Sequence, residues 1–337
     1  MRVVQIIKDS ERKIAIVQGS KLILLKNYKS LYDLAKAADH QNKLITDLAY
    51  NNRSVDYLDY NKIYAKQSLW SILPAFDHPY DTAHCLITGT GLTHLSSAMG
   101  RDTMHRDSQP SKILTPETDT LKMYRMGVEG GKPKSGTIGT SPEWFYKGSG
   151  AILRASGDGL EIPSYAQSSG EEAELTGLYI IGKKGLPRRI GFAAGNEFSD
   201  HKLEKSNYLY LGHSKLRQCS IGPEAIIGIN LKNKITGLVT IKRDHKLIYK
   251  NNVQTGTGNM CHSLRNIEFH HFKYDQNRII GDAHIHFLGA AGLSYSSGVR
   301  LVANDIVTIR WSGFGKPLIN KLVLTRKRKE CYTFNAL

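Results

Sequence analysis

The chain has 337 residues, 40% of them hydrophobic and 23% charged, with a formal net charge of +16. Its length suits two unequal units, its balance is that of a globular protein, and no apolar run reaches the roughly 18 residues a spanning helix needs. The positive charge raises nucleic acid as a partner. However, the basic residues are spread along the chain, and no helix-turn-helix, zinc-finger or RRM-type pattern accompanies them. A solvated basic surface that draws in anionic small molecules is the expectation, with neither nucleic acid nor membrane as partner.

The start, from Met1 to Asp9, has too short an apolar segment for a signal peptide and is expected to be a first strand. Cys85, Cys219, Cys261 and Cys331 form no CxxC pair and no metal spacing, which fits reduced thiols and a cytoplasmic protein. Apolar runs at 3–7, 13–17 and 21–25, split by polar turns, predict a meander. Leu31, Leu34, Ala35, Ala37 and Ala38 follow at helical spacing, and a second apolar stretch covers 44–50. Pro74 and Asp77-His78-Pro79 form a natural joint, dividing a small N-terminal domain (1–75) from a larger one (76–337).

Residues 86–90 predict a strand entering Gly89-Thr90-Gly91-Leu92-Thr93-His94. A dinucleotide fingerprint fails there, because its third glycine falls on His94. The glycine- and lysine-rich stretch 120–139 is not a P-loop, since Pro133 follows Lys132; a loop is expected, either beside the site or plain surface. Strands are expected at 144–147 and 151–153, and Gly157-Asp158-Gly159 is a turn.

The segment 170–200 carries the densest chemistry. It opens Gly170-Glu171-Glu172-Ala173-Glu174-Leu175, crosses an apolar strand to Gly182, and returns as Gly191-Phe192-Ala193-Ala194-Gly195-Asn196-Glu197-Phe198-Ser199-Asp200. Glu172 and Glu174 are two apart, so on a strand their carboxylates share a face. Clustered carboxylates repel unless a cation lies between them, and a hard divalent ion with oxygen ligands answers that, with Glu197 as third ligand. Ordinary surface charge is the alternative. Further on, 235–241 and 246–249 predict a hairpin, and 259–266 a helix. Glu268, His270 and His271 lack the H-E-x-x-H order and are expected to pack and hydrogen-bond. His284 and His286 share a strand face, as pocket or core residues.

The pattern E-x-E-L, an apolar strand ending in Gly, then G-F-x-x-x-N-E-x-S resembles the metal site of the fumarylacetoacetate hydrolase superfamily. Ser141-Pro142-Glu143-Trp144-Phe145-Tyr146-Lys147-Gly148, Asn196-Glu197-Phe198-Ser199-Asp200-His201 and His213-Ser214-Lys215-Leu216-Arg217 resemble its GguC-type branch, linked to bacterial sugar-acid catabolism. The resemblance covers residues from about 6 to 323. It implies a β-rich α+β protein, with a twisted β-roll catalytic domain behind a small N-terminal α+β domain, paired as a homodimer. It also implies Mg²⁺ (Mn²⁺ or Ca²⁺ as alternatives) on Glu172, Glu174 and Glu197, a catalytic lysine at Lys215, and a lid histidine at His94.

This chain departs from the superfamily in the spacing from Lys215 to Gly222-Pro223, about two residues shorter than the usual pattern, and at two single positions. The lid glutamate that pairs with the histidine to activate water is Ser97, and the threonine that binds the substrate carboxylate is Ala290. His94 is therefore either catalytic or structural, and carboxylate recognition falls to backbone amides, Ser294 or a basic side chain. The metal would polarise a 2-oxo acid so that a base can take a C3 proton. Without a water-activating pair, dehydration of a 2-keto-3-deoxy sugar acid is favoured over C–C hydrolysis of a 2,4-dioxo acid. A sugar-acid binding protein without turnover is the third reading.

Overall fold

A computed structural model describes residues 1–106 and 118–325. The one dense basic run of the sequence, Arg326-Lys327-Arg328-Lys329, expected to be a solvated end, lies outside the described residues, as does Cys331. The chain opens with β1 (Arg2–Lys8), β2 (Glu11–Gln18) and β3 (Lys21–Leu25), the expected meander. Helices α1 (Leu31–Gln41) and α2 (Ile45–Asn51) follow, then β4 (Arg53–Asp59), α3 (Tyr60–Tyr64) and β5 (Ser71–Ile72). The middle of the chain holds β6 (Cys85–Thr90), α4 (Leu95–Arg106), α5 (Asp119–Gly130), β7 (Trp144–Ser149), β8 (Leu153–Arg154) and β9 (Gly159–Ile162). Next come β10 (Ala173–Ile181), β11 (Pro187–Asn196), α6 (His201–Ser206), α7 (Leu211–Lys215) and β12 (Cys219–Ile227). The hairpin β13 (Ile235–Arg243) and β14 (Lys246–Thr255), α8 (Leu264–Phe272), β15 (Ala283–Phe287), β16 (Ile306–Trp311) and β17 (Leu318–Leu324) complete it.

These strands form two sheets among the described residues. The larger runs β4-β3-β2-β1-β12-β11-β10-β15-β6-β7, with β5 on β1 and β8 on β12; the smaller runs β14-β13-β16-β17-β9. Because β1 pairs with β12, the N-terminal meander continues the same sheet that carries β10 and β11. Strand β10 is buried along its whole length, which is why it reads as nearly continuous apolar sequence. Its alternation serves two cores: Ala173 and Leu175 meet Val239, Trp311 and Leu318 between the sheets, while Leu178 and Ile180 meet Leu31 and Leu34 of α1.

Three local expectations change. In the strand expected at 151–153, Gly150–Ile152 form a 3-10 turn and β8 begins only at Leu153. Residues 119–130, within the stretch expected as a loop, form α5, capped by the Thr118 side chain on the Leu121 N–H. Tertiary packing overrides the glycines, because Gly127 lies against His262 and Cys261, where a Cβ would come within 2.6 Å of His262 Nε2 and 2.9 Å of Cys261 Sγ. The predicted helix at 259–266 instead begins at Leu264, after the Ser263 cap on the Asn266 N–H. Cys85, Cys219 and Cys261 are buried and free, and among the described residues no helix is long and apolar enough to cross a membrane.

Candidate metal and catalytic centre

The antiparallel pairing of β10 with β11 sets Ala173 opposite Asn196 and Glu174 opposite Gly195. One step beyond, the Glu197 N–H donates to the Glu172 carbonyl at 3.0 Å, so Glu172 and Glu197 face each other at the open end of the ladder. Gly195 is required opposite Glu174: a Cβ there would stand 2.7 Å from the Phe287 ring and 2.8 Å from the Thr176 methyl. Glu172, Glu174 and Glu197 are all buried, and each offers a carboxylate oxygen within 4.8 Å of the other two.

Two buried lysines converge on this group. Lys215, at the end of α7, donates through Nζ to Glu172 Oε1, to Glu197 Oε2 at 2.6 Å and to Ser199 Oγ at 3.1 Å. Lys147, on β7, donates to the carbonyls of Phe198 at 2.7 Å and Lys215 at 2.9 Å, and lies 2.6 Å from Glu197 Oε1. His201 Nε2 lies 3.1 Å from Glu172 Oε1. Burial opposes charge on Lys215, but Glu172 and Glu197 outweigh it and raise its pKa above the usual lysine value. Burial likewise works against the Glu172 carboxylate, yet Lys215 and His201 hold its pKa well below the usual range.

Glu174 differs. Its Oε2 accepts from the Gly289 N–H at 2.7 Å, and it makes no ion pair among the described residues. Burial first, then Glu197 and Glu172, push its carboxyl well above the usual range. Three carboxylates thus face two ammonium groups, and the uncompensated charge falls on Glu174. All-oxygen donors with a surplus negative charge fit a hard divalent cation such as Mg²⁺.

A cavity opens beside these groups, lined among others by Glu172, Glu174, Lys215, Arg101, His201 and Ala290. His94 is buried next to it but is fully engaged: Nδ1 is 2.8 Å from Thr93 Oγ1 and Nε2 is 3.0 Å from Thr255 Oγ1. Burial lowers its pKa to about 4, so it is neutral. Ser97 Oγ donates to the His94 carbonyl at 3.0 Å. Ser294 is spoken for as well, donating to Glu171 through its N–H at 2.9 Å and its hydroxyl at 2.5 Å. His284 and His286 are core residues, His286 between Thr88 and Thr90 and His284 on His271. Glu268 takes the Tyr179 hydroxyl and His270 meets the Gly139 carbonyl, as packing and hydrogen bonding had suggested.

Sequence reasoning did not single out Lys147, Arg101, Glu143, His201 or Glu204. The signal for two of them lay at the start of β7, where Phe145 and Lys147, with Glu143 just before the strand, alternate with Trp144 and Tyr146. The aromatics are the more exposed set and the charged residues are buried, the reverse of an ordinary edge strand.

No protein-family profile matches the chain. A curated relative, a probable 2-keto-3-deoxyxylonate dehydratase of Haloferax volcanii, is 29% identical over 126 residues, which span 36% of this chain and 41% of the relative's length. The solved structure of a 2-keto-3-deoxyarabinonate dehydratase superposes with a TM-score of 0.73 at 20% identity, over 97% of this chain and all (100%) of that one. A 2-keto-3-deoxy-D-arabinonate dehydratase complexed with magnesium and 2,5-dioxopentanoate gives 0.71 at 20% identity, over 97% and 100%. Fumarylacetoacetate hydrolase from Exiguobacterium antarcticum gives 0.59 at 14% identity, over 96% and 100%.

Proposed function

We propose that this chain, which has the fumarylacetoacetate hydrolase fold, is a divalent-metal-dependent dehydratase of a 2-keto-3-deoxy sugar acid. The single observation that carries the choice is the state of the lid. His94 has both ring nitrogens on threonines, and Ser97 is turned back to a carbonyl, so neither prepares a water molecule for attack. Hydrolysis needs such a water, whereas elimination needs a base at C3 and an exit for the hydroxyl. The dehydratase names of the curated relative and of two solved structures support the same choice.

Glu172, Glu174 and Glu197 would hold the ion. An ion held there would supply Lewis acidity for the 2-oxo group, and Glu172 and Glu197 would then share their charge between it and the Lys215 ammonium. Lys215, in its neutral form, is the group we assign to take the C3 proton, and that proton leaves with the hydroxyl of the next carbon as water. Lys147 keeps Glu197 and the Lys215 backbone in position through its three contacts. His94 supports the lid from behind as a neutral hydrogen-bonded residue, outside the proton transfer. The protein is further inferred to be a cytoplasmic homodimer, with residues 1–75 as a structural lobe; sedimentation would test the dimer.

The deciding experiment incubates the Mg²⁺-loaded protein with 2-keto-3-deoxy acids and 2,4-dioxo acids and identifies products by mass. Loss of one water from the first class is expected. Two fragments from the second class would establish the hydrolase instead, and no change in either would leave a binding protein.

A further inference from the structure

Arg101 is a buried cation of the cavity whose direct contacts, among the described residues, go to Glu143 and Glu204 and not to the three clustered carboxylates. It stands on α4 one turn after Ser97 and lines the cavity with Glu172, Glu174 and Lys215. Its guanidinium is fixed from two sides: Nη1 donates to both oxygens of Glu143, at 2.8 and 2.9 Å, and Nε lies 2.7 Å from Glu204 Oε1. Glu143 is itself held by the Tyr208 hydroxyl at 3.0 Å. Its carboxylate also lies against Gly91, where a Cβ would fall 1.6 Å from Oε2, so only a glycine leaves room for it. These contacts use Nε and Nη1; among the described residues Nη2 has no hydrogen-bond partner.

Charge decides what Nη2 suits. Two carboxylates against one guanidinium leave this corner negative, so it disfavours a third carboxylate and accepts a neutral oxygen. A guanidinium does not lose its proton in proteins, so the contact is one of binding and orientation. We infer that Arg101 is a specificity-determining residue: Nη2 receives a hydroxyl oxygen at the polyol end of the 2-keto-3-deoxy acid, in an orientation set by Glu143 and Glu204. The inference rests on the dehydratase reading above, in which the 2-oxo acid end belongs at the three glutamates. An acid lacking that hydroxyl leaves Nη2 without a protein or substrate partner, and a donor left unmatched by the ligand is the stronger form of discrimination open to a site.

The test uses the Mg²⁺-loaded protein and two acids, one with hydroxyls on C4 and C5 and one with the C4 hydroxyl alone. The natural chain should prefer the first by at least about tenfold in kcat/KM, carried mainly by KM. Arg101→Lys keeps the charge but not the planar fork, and should bring the two acids to within about threefold. Its Mg²⁺-dependent melting shift should stay that of the natural chain, showing the carboxylate site intact. Equal kcat/KM for the two acids in the natural chain overturns the inference, whether or not the variant folds, and so does a variant that keeps the full preference. If the natural chain turns over neither acid, the dehydratase reading fails instead. Calorimetric binding of both acids to the Mg²⁺-loaded protein then judges Arg101, and equal affinities, or no binding of either, overturn its role.

Discussion

Of the carboxylates that converge near α7, Glu172 and Glu197 each touch an ammonium group, whereas Glu174 meets the Gly289 N–H. A cation added here therefore gains most from Glu174, and its loss should be felt first in metal binding. A hundredfold excess of Mg²⁺ over Kd should stabilise the natural chain by about 2.7 kcal/mol. Glu174→Gln should lose most of that gain in thermal melts with and without Mg²⁺, and equal shifts in the two proteins would count against the site. Lys215 poses a separate question, because its proton is gripped by the carboxylates that would bind the ion. Lys215→Met should lower kcat on a 2-keto-3-deoxy acid by about 10²–10⁴-fold. His94→Ala should cost less, since that imidazole is neutral and tied to Thr93 and Thr255. Deuterium exchange at C3 separates the two variants: the first should suppress it and the second should leave it largely intact. The opposite pattern would remove the lysine from its assigned role.

At the scale of elements, the sequence was most legible where chemistry and period coincide. Glu172 and Glu174 share a face because of the two-residue repeat, and Glu197 returns on the paired strand. Arg101, by contrast, sits on a helix whose apolar pattern is weak, so nothing local distinguishes it from a solvated arginine. Its carboxylate partners come from residues 143 and 204, and only the tertiary fold brings them together. Helix α5 was hidden for a related reason, since glycines that signal a loop are used there as contact points. Gly127→Ala tests this directly. Helix propensity alone predicts a gain of about 0.8–1 kcal/mol. Yet the new Cβ would stand 2.6 Å from His262 Nε2 and 2.9 Å from Cys261 Sγ, both buried. Overpacking costs about 1–3 kcal/mol, so chemical denaturation should show a net loss of stability, and a net gain would mean that α5 packs differently.

Across the whole molecule, the continuous large sheet and its helices enclose several histidines, and these set how stability responds to acid. Burial lowers the pKa of His94, His262 and His284 to about 4 and of His286 to about 3. For His262 and His286 a neighbouring histidine adds to the effect, and His271 is held well below its usual value by burial together with His286 and His284. The sign follows from which state binds protons. Above the unfolded value of about 6.5 these imidazoles are neutral in both states and cost nothing. As pH falls below it, the unfolded chain takes up protons that the folded chain refuses, and stability declines until the folded pKa of each group is reached. His84 runs the other way: its hydrogen bond and attraction to Asp282 raise its pKa, so its contribution is full below about 6.5 and fades as pH rises through the folded value. It is a single exposed group, but the raised carboxyls of Glu174, Glu197 and Glu171 also oppose the five buried histidines, because each gains a proton in the folded chain before the unfolded one. Melts of the metal-free protein, which exclude any pH dependence of ion binding, should fall below about pH 6.5, less steeply than five histidines alone would give. His286→Gln can keep polar contact with Thr88 and Thr90 while removing one titrating group, so it should soften the fall by up to one proton. An unchanged slope in that variant, or a natural chain equally stable at pH 5 and 7, would show that these histidines protonate within the fold.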